Sequence, residues 1–97
     1  MEIIKWLENW FSSYCNGDWE HENPLIIQST SNPGWSITIN LRDTSLEDLN
    51  IEYFLIETSE TEWYGYSVKN KQFKAAGDPT KLLFLLELFK KITEENS

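Results

Sequence analysis

The sequence predicts an α+β domain: an N-terminal helix, a five-stranded, mostly antiparallel sheet built from consecutive hairpins, and a C-terminal helix, with both helices on one face. Three observations predict it. Apolar residues recur at helical spacing near each end, they alternate with polar residues in the middle, and turn residues such as Asn32-Pro33-Gly34 and Asn70-Lys71 separate the alternating runs. At 97 residues the chain, residues 1–97, reads as one domain. Such a length buries roughly 60–65% of the surface that the unfolded chain exposes, too little for two independent cores.

In the first helix, Ile3, Leu7, Trp10 and Tyr14 share one face, Ile4 and Phe11 widen it, and Asn16-Gly17 offers a left-handed stop. The helix is therefore predicted over residues 2–15, with Trp6 half covered at the rim of the stripe. Asn16 to Pro24 reads as a loop from its turn residues. Leu25–Ser31 and Trp35–Arg42 predict a hairpin closed by a type II turn, in which Pro33 presets φ and Gly34 accepts a positive one. Trp35, Ile37, Ile39 and Leu41 alternate with Ser36, Thr38, Asn40 and Arg42, so one face of this strand is buried and the other wetted. Trp10 and Trp35 are accordingly expected in the core, with a partner anchor as the alternative for Trp35.

Asp43–Asn50 reads as a solvated polar connection with room for one helical turn. Ile51–Thr58 has apolar residues on both faces, Tyr53 and Leu55 against Phe54 and Ile56, which predicts a central strand. Trp63–Lys69 and Gln72–Ala76 follow as strands joined by the two-residue loop Asn70-Lys71. Asp78 and Pro79 are expected to cap and open the last helix. Leu82, Leu85, Leu86, Phe89 and Ile92 form its core face, and Phe84 and Leu88 beside them are expected to rest on the first helix, with a partner as the alternative.

Charge narrows the classes of partner. Sixteen acids against eight bases give a net charge of −8, which argues against nucleic acid and against an anionic membrane surface, and leaves room for a basic protein. The imbalance is concentrated: residues 1–68 hold twelve acids and two bases, Lys5 and Arg42. A single cysteine, Cys15, forms no internal disulfide and fits a reducing compartment or a small buried thiol at the helix end, and a cytoplasmic location is expected. The acidic start of the chain and the five-residue length of its longest apolar run, Leu82–Leu86, argue against a signal peptide or a membrane span.

Cys15, His21 and Asp18 have the residue types of a thiol nucleophile, base and orienter, but no polar cluster or glycine-rich loop offers an oxyanion site beside them. Asp18, Glu20, His21 and Glu22 offer carboxylates and one imidazole, but zinc normally takes more His or Cys than one of each and a calcium loop is longer and glycine-bent, so no metal is expected. What remains is a set of loop aromatics rimmed by acids: Asp18, Trp19, Glu20 and His21 in one segment, and Glu60, Glu62 and Trp63 in another. Such a rim suits the Lys and Arg of a protein partner through cation–π contacts and charge-assisted hydrogen bonds. It also suits a small module that takes a sugar or peptide, with a Cys/His hydrolase the more remote third reading.

Trp6-Leu-Glu-Asn-Trp10, Cys15-Asn-Gly-Asp-Trp-Glu-His21, Asn32-Pro-Gly-Trp35, Glu62-Trp63 and the Phe73 to Pro79 run into an amphipathic helix together resemble the Immunity protein 53 family of bacterial polymorphic-toxin systems. The resemblance spans nearly the whole chain. It implies a single immunity-protein-like domain, a cytoplasmic antidote that binds and blocks a cognate toxin domain. It implies no reaction, catalytic residue or cofactor.

Overall fold

The computed structural model describes residues 2–96. The elements run α1 (Glu2–Tyr14), α2 (Trp19–Glu22), β1 (Leu25–Thr30), β2 (Gly34–Asn40), β3 (Ile51–Ser59), β4 (Glu62–Lys69), β5 (Gln72–Gly77) and α3 (Leu82–Glu95). Every strand pairing is antiparallel, and the spatial order is β1-β2-β5-β4-β3. Three connections are hairpins; the fourth, from β2 to β3, crosses the sheet, so that β5 inserts between β2 and β4.

This order corrects the expectation for Ile51–Thr58. The strand is an edge, not a central strand, and every residue from Glu52 to Ser59 is exposed. A run of four apolar residues reads as double-sided burial, but edge position is a property of topology that local pattern does not carry.

Register assigns the two sheet faces. Ile37, Ile39, Tyr66, Val68, Phe73 and Ala75 share one face, and Ser36, Thr38, Gly65, Ser67, Lys74 and Ala76 share the other. The first face supplies the core, where Ile37, Ile39, Val68 and Phe73 are each at most 1% exposed and join Ile3 and Trp10 of α1 and Leu85, Leu86, Phe89 and Ile92 of α3 in one cluster. Phe89 is its hub: its ring meets Phe73 at 5.0 Å, Trp10 edge-on at 5.0 Å and Trp6 at 5.9 Å. Trp6 is half buried at the rim, as its position off the stripe predicts.

Several local expectations are revised by packing. Trp35 is half buried and stands outside the central cluster, with its indole N–H donating to the Pro79 carbonyl at 3.0 Å. Gly34 does not adopt a positive φ, so the turn is not type II. Glycine is required there for another reason: a Cβ would lie 2.4 Å from the Gly77 carbonyl oxygen on the neighbouring strand. Residues 16–24 contain the single helical turn α2, and Asp43–Asn50 is not fully solvated, because Leu46 is 1% exposed and plugs the core. Thr44 holds that loop by donating its hydroxyl to the Leu41 carbonyl and accepting from the Leu46 N–H. Phe84 leans on Tyr64 of β4 at 4.6 Å and stays 40% exposed.

Two turns match their sequence signals. Gly17 ends the first helical segment at φ +99, and Asn70 and Lys71 both take positive φ, 54° and 62°, as a type I′ turn demands. A lysine in that region is strained by about 1 kcal/mol relative to glycine. Lys71→Gly is therefore expected to stabilise the fold by about 0.5 kcal/mol, part of the strain being offset by the greater freedom of glycine in the unfolded chain, and urea melts measure it.

Candidate functional site

The acid-rimmed aromatics fall into two places at opposite ends of the strands. One lies beyond the C-terminal end of β2, where Asn40 pairs with Gln72; the other lies where Tyr64 pairs with Gly77. The structure does not bring them together.

In the first place, the loop after α1 is built by reciprocal capping. The Asn16 side chain accepts the N–H groups of Asp18 and Trp19, each at 2.9 Å, while the Glu20 carboxylate accepts those of Asn16 and Gly17. Its own backbone N–H, together with these two, holds the Glu20 carboxyl below the usual carboxylate range. Glu20 is thus occupied as a cap. Trp19 is 7% exposed, packed among Trp10, Phe11 and Tyr14, with its indole N–H donating to the Arg42 carbonyl at 2.6 Å. This burial leaves only a small part of the Trp19 ring at the surface, where it lines the cleft beside Asp18. Asp18 and His21 remain exposed. Beside them Tyr14, Cys15, Asp18, Arg42 and Asp43 line an open cleft of about 420 Å³.

Cys15 is exposed in that cleft, not buried at the helix end, because the chain turns away after Tyr14; its thiol donates to the Phe11 carbonyl at 3.3 Å. Desolvation, with the Glu20 carboxylate second, pushes the thiol up from its ordinary value, opposite to the direction that activates a nucleophile. Among the described residues no group of three His, Cys, Asp or Glu side chains is placed to hold a metal ion.

The second place is built on a buried carboxylate. Asp78 is fully buried. One oxygen accepts the Thr80 N–H at 2.8 Å and its hydroxyl at 2.6 Å; the other accepts the Trp63 N–H and the Lys81 ammonium, each at 2.9 Å. Thr80 first, then Lys81 and the two N–H groups, hold this carboxyl far below the usual range. These bonds revise the expected cap: Pro79 and Thr80 form a turn, α3 begins at Leu82, and Asp78 tethers that turn to β4. Lys81 also pairs with Glu62, so Glu62 is engaged inside the molecule.

Trp63 is consequently fixed from both sides of its peptide, since its carbonyl accepts the Asp78 N–H at 3.0 Å. Its half-buried side chain joins Asn32, Tyr53, Leu55, Glu57 and Glu60 around a hollow of about 370 Å³. Glu60 and Trp63, expected together from sequence, do meet here. Tyr53, Leu55 and Glu57 are the residues sequence reading passes over, because a strand taken as central hides its side chains. Tyr53 is 61% exposed and Leu55 47%. Neither Glu57 nor Glu60 makes an ion pair among the described residues.

Residues 4–94 match the family model described as Immunity protein 53. No curated protein and no solved structure gives a significant match.

Proposed function

Because the chain belongs to the Immunity protein 53 family, we propose that it is an antitoxin-type immunity protein that binds a cognate polymorphic toxin in the bacterial cytoplasm and neutralises it by protein–protein contact. The observation that carries the reading to a surface is the rigidly mounted Trp63 in a hollow rimmed by Glu57 and Glu60, on a chain with net charge −8. Preorganised aromatic anchors concentrate binding energy, and an acidic rim steers a basic partner while repelling acidic ones. Glu60 and Trp63 are assigned the main contact. Asp18 and His21 form a second exposed patch at the other end of the sheet, with Glu20 and Trp19 shaping its backbone. Glu62 supports the main patch through Lys81. No reaction, metal or nucleic acid enters this reading.

The test is binding to the C-terminal domain encoded by the gene immediately upstream, with protection of growth when both are expressed. Association should slow steeply with salt while dissociation changes less. Glu57→Lys with Glu60→Lys should slow association about tenfold at low salt without changing the melt. Glu62→Lys is the wrong variant for this purpose, because it also opposes Lys81 within the fold. Association rates unchanged by the double reversal would take the hollow out of the interface.

A further inference from the structure

The outer edge of β3 has no strand beside it among the described residues. Natural edges are commonly blunted by lysine, proline or a central bulge. In β3 the irregularities lie at its two ends, between Ile51 and Phe54 and between Glu57 and Ser59, whereas Phe54 to Glu57 pair regularly with Tyr66 to Trp63. That regular stretch has neither lysine nor proline, and Tyr53, Phe54, Leu55 and Ile56 are each between 39% and 61% exposed. The opposite edge, β1, is shorter and ends in Gln28-Ser29-Thr30.

Apolar side chains stand out on both faces of this edge. Phe54 and Ile56 continue towards Tyr64 and Phe84 on the core face; Tyr53 and Leu55 continue into the Trp63 hollow on the other. A partner helix or loop would cover only one of these faces. An extended segment laid against the backbone covers both, because its own side chains alternate.

Charge selects which extended segment. The edge carries Glu52 and Glu57, with Glu60 in the following turn; Glu52 is held by Lys69 at 2.8 Å, and the other two are free of ion pairs among the described residues. A second copy of this chain brings the same acids and a further net charge of −8 to the contact, whereas a strand bearing Lys or Arg meets Glu57 and Glu60 with complementary charge.

We propose that β3 is the site of strand addition, where an extended, basic segment of the toxin becomes the sixth strand of the sheet. This deepens the immunity reading and rests on it. Hydrogen exchange of the free chain and of its complex with the upstream-encoded C-terminal domain tests it, alongside the variants Leu55→Lys and Glu57→Lys, both on the exposed edge. Strand addition predicts that outward-facing amides within residues 54–57 gain protection of on the order of 100-fold, and that the double variant, with an unchanged melting temperature, weakens binding on the order of 100-fold. A complex that forms equally with the double variant, or that protects other amides instead, overturns strand addition and leaves the immunity reading standing. No complex with the unaltered chain overturns both. A dimer of the free chain at micromolar concentration that Leu55→Lys abolishes also overturns the proposal, since the edge then belongs to a second copy.

Discussion

Replacing Trp10 by alanine is expected to destabilise the domain by about 3–5 kcal/mol, most of the stability available to a chain of this size. The ring is 8% exposed and lies between Phe89 at 5.0 Å, Tyr14 at 5.2 Å and Trp19 at 6.4 Å, so its loss opens the contact between α1, α2 and α3 together. Its indole N–H is buried without a hydrogen-bond partner among the described residues. Trp10→Phe removes that donor while keeping a ring against Phe89, and is expected to cost about 1 kcal/mol or less, a cavity cost partly offset by relief of the orphan donor. Urea melts of the two variants check this, and equal losses would show that the ring kept against Phe89 contributes nothing and that the indole itself decides the site.

The second large effect is at Asp78. Asp78→Asn turns one carboxylate oxygen into an NH2 group that must face either the Thr80 donors or the Trp63 N–H and Lys81. Either arrangement sets donor against donor in a fully buried place. The melting temperature should fall by about 10–20 °C. Glu62→Gln, whose side chain is 58% exposed, should change it by only a few degrees, as exposed partners do. The pH dependence follows with a definite sign. A carboxyl depressed in the folded state contributes stability that is fully present above its ordinary range and lost as pH falls through the depressed value. The wild-type melt should therefore decline below about pH 4 more steeply than that of Asp78→Asn.

Sequence made local matters legible and left long-range ones open. The stripe of α1, the stop at Gly17, the alternation of Ile37 and Ile39 and the tight turn at Asn70-Lys71 are all set by neighbours a few residues apart, and the structure keeps them. The insertion of β5 between β2 and β4 depends on which hairpins meet, and no spacing records that. Gly34 shows the difference in one residue: its turn context favours positive φ, but its actual constraint is the Gly77 carbonyl, 43 positions away. The site divides in the same way. Glu60 and Trp63 were readable as an acid beside an aromatic in the turn region, Trp19 was lost to the core because its burial depends on Arg42 and α1, and Tyr53, Leu55 and Glu57 surface only once β3 is known to be an edge.

The place of β5 also governs when a growing chain can complete its sheet. The β1–β2 and β3–β4 hairpins have no strand pairing with each other until Gln72–Gly77 slides between them, and α1 finds Phe89 only after that. A nascent chain that has emerged only as far as Lys69 holds two ribbons without a shared sheet. Assembly is therefore deferred until β5 and α3 have emerged, with contacts of high sequence separation forming together.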